Sequence, residues 1–315
     1  MYDLSDYARM VADTRRMAAL SAALESCVRP GSVVADIGTG TGVLAVIACK
    51  LGARRVYAID LNDVIQLGPE LAADNGCADR IEFIQGDALE IELPEAADVV
   101  VSDLRGGMPM APGNLAVIAH ARAHFLAQGG TMIPARDDLF VAIAQSAERY
   151  RRALGPEETS GVSLRAMSSR LANAVHKDRQ RSLGPSDLLS KPAQWATLDY
   201  ATARPHRVAG RAEWSIDRPG TGHGLQLWFD TVLAPGHGFS TAPGNAGVYP
   251  QLFLPWTSPI DLSEGETVAV ELWAQADGEP WGWNTTVTDA QGRVRERFKQ
   301  STFLAATAAP ARARP

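Results

Sequence analysis

The sequence predicts an α/β domain with a parallel sheet, followed by a second, antiparallel β domain. Strand and helix signals alternate between residues 32 and 133, which is typical of parallel strands joined by right-handed crossovers. From about residue 194 onward, apolar runs are separated by Gly and Pro turns instead, which favours an antiparallel sheet. The length of 315 residues fits two domains.

The helices and strands follow from apolar spacing and from glycine and proline stops. In the first domain we expect helices over 7–28, 42–51, 69–75 and 115–126, and strands over 32–37, 55–59, 81–84, 97–102 and 131–133. In the second domain we expect strands over 224–233, 249–254, 266–274 and 283–288.

Composition excludes several classes of protein. Hydrophobic residues make up 46% and charged residues 21% of the chain, which is the range of a globular protein. The net charge of −6 argues against nucleic acid as a partner. No apolar run approaches the roughly 20 residues of a membrane span, and no secretory signal is visible. Because the three cysteines are scattered, we expect reduced thiols, no metal site and a cytoplasmic protein.

A glycine loop follows the first predicted strand. The segment Gly38-Thr39-Gly40-Thr41-Gly42 connects that strand to a helix, and glycine lets a ligand approach the backbone closely. A dinucleotide fingerprint would place its third glycine where Val43 stands. Asp36, at the end of the strand, would repel a pyrophosphate but suits a cationic or hydroxyl-bearing ligand.

Acids also follow the next two strands. Asp60 lies close to the roughly 20-residue offset of a ribose-binding carboxylate, and Asp87 could accept a bond from an adenine amino group. An acid at each of three strand ends favours S-adenosyl-L-methionine over a dinucleotide, with S-adenosyl-L-homocysteine as product. The expected cofactor-binding residues in this part of the chain are Asp36, Gly38, Thr39, Gly40, Gly42, Asp60, Leu61, Asp87, Ala88 and Ser102.

These motifs resemble class I S-adenosylmethionine-dependent methyltransferases and, more narrowly, the protein arginine methyltransferase family. Residues 10–16 are similar to the family's N-terminal helix, whose arginine binds the methionine carboxylate, so the resemblance implies that role for Arg16. Further similar segments are 34–42, 51–56, 92–94, 98–103, 125–134 and 238–243.

The resemblance implies a fold and a domain order. It implies a helical cap over the cofactor at 1–30 and an S-adenosylmethionine-binding Rossmann-like domain at 31–136. An antiparallel β-barrel-like domain would follow at 137–315, with an inserted helical dimerisation arm around 150–192. The arm implies a head-to-tail homodimer.

Two family signatures are altered in this sequence. The family binds the substrate guanidinium through two glutamates in a loop after the fourth strand. Asp103 stands at the first of these positions and Pro112, which has no charge, at the second. The family's Thr-His-Trp loop has no histidine here, since residues 245–250 read Asn-Ala-Gly-Val-Tyr-Pro. Because one carboxylate beside Arg105 suits a guanidinium badly, we expect a methyltransferase that does not act on arginine.

The expected substrate is a small molecule or a peptide in specialised metabolism, with nitrogen as the favoured methyl acceptor. Asp103 would orient or deprotonate the nucleophile, assisted by Tyr7 or Tyr249. The residues expected to contact the substrate are Tyr2, Arg105 and Met108. Three alternatives remain open. They are a C- or O-methyltransferase of an indole-like aromatic natural product, a protein methyltransferase with another target, and an inactive cofactor-binding partner subunit.

Overall fold

The computed structural model describes residues 3–178, 183–245, 247–276 and 280–303. The chain divides into two compact units. The first extends to Asp138 and also contains Thr197–Pro205 and Asp230–Thr241, and the second contains Leu139–Ala196, His206–Phe229 and the chain from Ala242 onward. The boundaries expected from the sequence assigned 197–205 and 230–241 to the β domain, whereas both segments fold with the first unit. No described helix is long and apolar enough to cross a membrane.

The first unit contains a five-stranded parallel sheet, as the sequence predicts. Its helices are α1 (Leu4–Ala12), α2 (Thr14–Cys27), α3 (Val43–Lys50), α4 (Gly68–Asp74) and α5 (Asn114–His124), with a 3-10 helix at Asp63–Leu67. Its strands are β1 (Val33–Ile37), β2 (Arg55–Asp60), β3 (Ile81–Gln85), β4 (Ala97–Ser102) and β5 (Leu126–Ile133). The order β3-β2-β1-β4-β5, with all pairs parallel, is a Rossmann-like arrangement.

The N-terminal helix is interrupted once. The sequence predicts one helix over 7–28, but α1 ends before Asp13, whose backbone is extended at φ −72° and ψ 90°. The Asp13 carboxylate accepts a hydrogen bond from the backbone N–H of Arg16 at 3.1 Å, which caps α2. The interruption therefore places Arg16 in the first turn of a new helix.

A disulfide ties two parts of the core of the first unit together. Cys49 in α3 is bonded to Cys77, which lies between α4 and β3, and both side chains are fully buried. The expectation of three reduced, unpaired cysteines is therefore wrong for this pair. The sequence gives no local signal for it, because the two cysteines are 28 residues apart and come together only when α3 packs on the sheet. Cys27 has a free thiol.

The remaining elements are mostly antiparallel strands. They are β6 (Arg136–Ala144), α6 (Ala147–Leu154), β7 (Glu158–Thr159), β8 (Val162–Ser163), α7 (Arg165–Leu171), β9 (His176–Asp178), β10 (Ala193–Asp199), β11 (Val208–Ser215), β12 (Gly220–Ala234), β13 (His237–Ser240), β14 (Gln251–Leu262), β15 (Thr267–Ala274), β16 (Trp281–Thr288) and β17 (Val294–Ser301). A 3-10 helix covers Pro185–Asp187. The strands form one sheet in the order β10-β6-β12-β14-β9, with β13 on β12, and a second in the order β11-β15-β16-β17.

The second unit matches the expected antiparallel β domain. β11, β15, β16 and β17 pair antiparallel throughout, as do β12 with β14 and β14 with β9. Between β6 and β9 the chain forms α6, the short hairpin β7–β8 and α7, in the region where the sequence analysis places a helical insertion.

Candidate active site

The glycine loop after β1 has a backbone that only glycine adopts readily. Gly38, Gly40 and Gly42 have φ values of +71°, +58° and +88°. The backbone N–H groups of Gly38 and Thr39 donate to the carbonyl oxygen of Ile59 at 2.8 and 3.0 Å, so the loop is fixed against the end of β2.

Two side chains lie directly on this loop. A Cβ added at Gly40 would come within 2.6 Å of Cε1 of Tyr7, and one added at Gly38 would overlap the Leu104 side chain. The loop therefore lies between α1 and the segment after β4. Tyr7, an expected catalytic residue, is placed against the glycine loop, and its catalytic role stays a prediction.

Asp60 holds the same loop through its carboxylate. Its Oδ2 accepts a hydrogen bond from the N–H of Gly40 at 2.8 Å. Its Oδ1 accepts from the backbone N–H of Asn62 at 2.8 Å and from the side-chain amide of Asn62 at 3.0 Å. Asp60 is buried. A carboxylate has about four acceptor sites, so Asp60 fits a ribose hydroxyl in addition to these donors.

Asp36 is the most perturbed acid of the loop. It is fully buried, and its Oδ2 accepts from the hydroxyl of Thr39 at 2.6 Å. Burial raises the pKa of the Asp36 carboxyl to about 7, and the charge of Asp60 also raises it. The hydrogen bond from Thr39 and the charge of Arg16 act in the opposite direction. A cation bound beside Asp36 would favour its ionised form.

The ends of β3 and β4 complete this edge of the sheet. Ser102 is 1% exposed and is paired in register with Ile37, and its hydroxyl has no hydrogen-bond partner among the described residues. A buried hydroxyl without a partner beside a glycine loop fits a polar ligand. Asp87 is half-buried and accepts from the N–H of Leu89 at 2.9 Å. The other two expected cofactor residues are Leu61, which is exposed, and Ala88, which is buried.

Arg16 and Asp103 form an ion pair at the end of β4. Nε of Arg16 donates to Oδ2 of Asp103 at 2.6 Å, and Nη2 of Arg16 lies 2.5 Å from the same oxygen. Their side chains are only 11% and 6% exposed. Nη1 of Arg16 also donates to the carbonyl oxygen of Met10 at 3.1 Å. The expected ligand of the methionine carboxylate is thus paired with the expected catalytic acid.

The other oxygen of Asp103 is held by Arg105. Nε and Nη2 of Arg105 lie 2.9 and 2.8 Å from Oδ1 of Asp103. Nη1 of Arg105 donates to Oδ1 of Asp137 at 3.1 Å and to the hydroxyl of Thr231, and the guanidinium lies 5.3 Å from the ring centroid of Phe239. Arg105 is 1% exposed. It is an internal ion-pair partner of Asp103, and its expected contact with the substrate stays a prediction.

Tyr200 extends this network. Its hydroxyl donates to Oδ2 of Asp137 at 2.6 Å, and both residues are buried. Burial raises the pKa of Asp137, while the charge of Arg105 and hydrogen bonds from Thr231 and Tyr200 oppose that rise. Burial and the charge of Asp137 raise the pKa of Tyr200 well above its usual value. The sequence analysis missed Asp137, Tyr200 and Thr231, because no local pattern links residues so far apart in the chain.

The remaining expected site residues are placed as follows. Met108 is buried in the segment between β4 and α5. Tyr249 belongs to the second unit, where its ring packs edge-to-face on Phe229 with centroids 5.4 Å apart. Tyr2 lies outside the described residues. The roles of all three stay predictions.

Comparison with known proteins identifies the family. Residues 14–110 match the family model described as ribosomal protein L11 methyltransferase (PrmA). The chain is 31% identical over 244 residues to protein arginine N-methyltransferase 6 of Xenopus laevis, covering 74% of this chain and 72% of that protein. The chain belongs to the protein arginine N-methyltransferase family. It is an S-adenosyl-L-methionine-dependent methyltransferase, as the sequence analysis expects.

Two further members of the arginine methyltransferase family are informative. Arginine N(omega)-methyltransferase of Streptomyces achromogenes subsp. streptozoticus is 28% identical over 275 residues, which is 84% of this chain and 74% of that protein. The Trypanosoma brucei PRMT1 enzyme–prozyme heterotetrameric complex with AdoHcy has the same fold. Its TM-score is 0.83 at 21% identity, over 94% of this chain and 96% of that chain.

The expectation that this methyltransferase does not act on arginine is wrong. The relatives are named arginine methyltransferases, including the Streptomyces protein that matches most of this chain. The expectation rested on the residue types found in one loop. It gave too little weight to groups outside that loop, because the charges around Asp103 and Arg105 come from α2 and β6 as well.

Proposed function

We propose that this chain transfers a methyl group from S-adenosyl-L-methionine to a guanidino nitrogen of arginine. Membership of the arginine methyltransferase family and the names of its relatives support this activity. The observation that carries the proposal is the buried carboxylate of Asp103. It stands at the end of β4, at the family's first glutamate position, and has an arginine on each oxygen.

The first unit offers a suitable set of groups for the cofactor. The glycine loop, Asp60 and Ser102 would hold the nucleoside, and Arg16 would bind the methionine carboxylate. S-adenosyl-L-methionine supplies a methyl group on a positively charged sulfur atom. Asp36, whose pKa lies near 7, would ionise more fully beside that charge.

Arg16 connects the cofactor to the substrate. Arg16 is paired with Oδ2 of Asp103. Arg16 would exchange this carboxylate for the methionine carboxylate of the cofactor, and Oδ2 of Asp103 would then bind a substrate cation. The exchange keeps the local charges balanced, because the substrate guanidinium takes the place that the Arg16 guanidinium leaves.

Asp103 then has two tasks in methyl transfer. It orients the guanidinium so that one nitrogen faces the methyl group, and alignment of this kind lowers a barrier by about 7–11 kcal/mol in favourable cases. A nitrogen–carbon bond forms as the carbon–sulfur bond breaks. The proton lost by the nitrogen passes to Asp103 and then to water, which adds roughly 10²–10⁴-fold as general-base catalysis.

The test compares acceptors under identical conditions. The protein is incubated with S-adenosyl-L-methionine and either L-arginine, an arginine-containing peptide, or the same peptide with lysine in place of arginine. We expect methylarginine by mass spectrometry in at least one arginine arm and no product in the lysine arm. Product from L-arginine would indicate a free amino acid as substrate, and product from the arginine-containing peptide would indicate a peptide substrate. Binding of S-adenosyl-L-homocysteine by calorimetry, without methylarginine in either arm, would contradict the proposal.

A homodimer and a cytoplasmic location belong to the same proposal. The Trypanosoma brucei complex is a heterotetramer, which supports assembly of more than one chain in this family. Light scattering at micromolar concentration tests the homodimer, and a monomeric mass there would contradict it.

A further inference from the structure

We propose that Arg105 is a positioning residue that fixes one oxygen of Asp103 and so directs the other oxygen to the arginine substrate. The inference rests on the proposed function and deepens it. It explains how the single carboxylate of Asp103 can orient a substrate that the family binds with two carboxylates. In this proposal Arg105, which is 1% exposed, acts through Asp103 and not through contact with the reacting atoms.

The two oxygens of Asp103 are divided between two arginines. Oδ1 accepts a hydrogen bond from Nε of Arg105 at 2.9 Å, and Nη2 of Arg105 lies 2.8 Å from it as an ion-pair contact. Oδ2 accepts a hydrogen bond from Nε of Arg16 at 2.6 Å, and Nη2 of Arg16 lies 2.5 Å from it as an ion-pair contact. Because both nitrogens of Arg105 converge on Oδ1, the carboxylate cannot rotate without breaking charged contacts. Oδ2, which Arg16 contacts, is therefore the oxygen that the proposed function directs to the substrate.

Arg105 is itself held from its other side. Nη1 binds both Asp137 and the hydroxyl of Thr231, and the ring of Phe239 covers the guanidinium. Tyr200 in turn donates to the second oxygen of Asp137. A buried arginine requires a buried countercharge, and Asp137, which is fully buried, supplies it. The position of Arg105 is thus set by residues from β6, β12, β13 and the segment after β10.

A fixed carboxylate answers a specific need of this site. A guanidinium bound by two carboxylates is oriented by both of them, whereas a single mobile carboxylate would let it swing. A carboxylate that cannot rotate supplies the missing orientation. The lost second glutamate, with Pro112 in its place, is then compatible with arginine methylation.

The competing explanation is that Arg105 only stabilises the first unit. Arg105→Lys keeps the charge but removes the planar fork that reaches Oδ1 with two nitrogens. The matched control is Arg54→Lys. Nη1 of Arg54 donates to Oε1 of Glu95 at 2.9 Å and Nη2 donates to Oε2, so this change also removes an arginine fork from the first unit, away from the network around Arg105.

The measurements are kcat and KM for the reactive arginine acceptor, the affinity for S-adenosyl-L-homocysteine, and the melting temperature. For Arg105→Lys we expect kcat/KM for the acceptor to fall roughly tenfold or more. The affinity for S-adenosyl-L-homocysteine should stay within about twofold of wild type. Arg54→Lys should change kcat/KM by less than about twofold. Should Arg105→Lys fail to fold, Asp137→Asn replaces it. That variant retains the Arg105 guanidinium but removes the negative charge of Asp137 that holds it in place. We expect a fall in kcat/KM that is smaller than the one expected for Arg105→Lys.

Each outcome decides a different claim. Unchanged kcat/KM in Arg105→Lys, or in Asp137→Asn where it is the variant used, overturns the positioning role, as does an equal fall in Arg105→Lys and Arg54→Lys. Either result leaves arginine methylation standing, because the wild type still reacts. A wild type that methylates no arginine acceptor overturns the proposed function, and the positioning role with it.

Discussion

The guanidinium of Arg16 and the carboxylate of Asp103 form a nearly buried ion pair, with Nε of Arg16 2.6 Å from Oδ2 of Asp103. One residue is expected to bind the cofactor and the other the substrate. The ion pair therefore has to open before either ligand is bound in the proposed way. For this reason a substitution at Asp103 should affect cofactor binding and methyl transfer differently.

Asp103→Asn should separate cofactor binding from methyl transfer. Arg16 would no longer have to leave a charged partner, so we expect the affinity for S-adenosyl-L-homocysteine to equal or exceed that of wild type. Methyl transfer should fall about 10²-fold or more, because both orientation and proton acceptance are lost. Calorimetry and single-turnover kinetics measure the two effects. If the variant bound S-adenosyl-L-homocysteine more than about threefold more weakly than wild type, or turned over normally, the role assigned to Asp103 would be wrong.

Asp60→Asn should weaken cofactor binding. The carboxylate holds the N–H of Gly40 and the backbone and side chain of Asn62, and an amide cannot accept at both ends. We expect roughly tenfold weaker binding of S-adenosyl-L-homocysteine by calorimetry. Asp63→Asn is the control, because Asp63 is exposed and accepts only from the Gln85 side chain among the contacts described. Equal affinities in the two variants would rule out this role for Asp60.

The stability of the first unit should depend on pH through Asp36. Its pKa is about 7 in the folded chain and 3.8 ordinarily, so between about pH 4 and 7 the folded chain keeps a proton that the unfolded chain has lost. Stability from this group therefore falls as pH rises through that window, by an amount on the order of a few kcal/mol. Asp36→Asn should remove this fall in stability. The variant should therefore be more stable than the wild type at pH 8 but not at pH 4.

Urea unfolding at several pH values checks this effect. Asp79→Asn is the matched control, because the Asp79 side chain is 85% exposed and the change should leave the wild-type pH dependence intact. Curves of the same shape for wild type and Asp36→Asn would show that Asp36 ionises normally in the folded chain.

The disulfide should contribute measurably to stability. It closes a loop between residues 28 apart, and a loop of that size corresponds to about 3.6 kcal/mol in the chain-entropy description. We expect the urea midpoint of the wild type to fall when the protein is reduced. Cys27→Ser retains the bonded pair, so its midpoint should fall by the same amount on reduction. Peptide mapping without reductant should recover Cys49 linked to Cys77. Identical midpoints with and without reductant would contradict the prediction.

The local parts of the site could be predicted from sequence. The glycine loop and the acids Asp36, Asp60 and Asp87 are set by neighbours along the chain, and parallel strands bring their carboxyl ends to one edge of the sheet. The break at Asp13 was missed, because apolar spacing continues across it and the aspartate acts only as a cap. β17 was also missed, since its charged outward positions hide the strand pattern.

The charge network could not be predicted in this way. Asp103 and Arg105 are close in sequence, but Asp137, Tyr200 and Thr231 reach Arg105 only through the fold. From the loop alone, Arg105 is a nearby cation that makes the site badly suited to a guanidinium. With its partners in place, the same charge is neutralised and fixes the carboxylate beside it.

The inclusion of residues 230–241 in the first unit has a consequence for biosynthesis. A nascent chain that has emerged only as far as Asp138 lacks Tyr200, Thr231 and Phe239, so the charge of Arg105 has only part of its surroundings. The unit can reach its final packing only after about three quarters of the polypeptide has left the ribosome. Until then the core of this unit lacks Leu233 and Ala234, and the apolar residues that pack on them stay exposed to water.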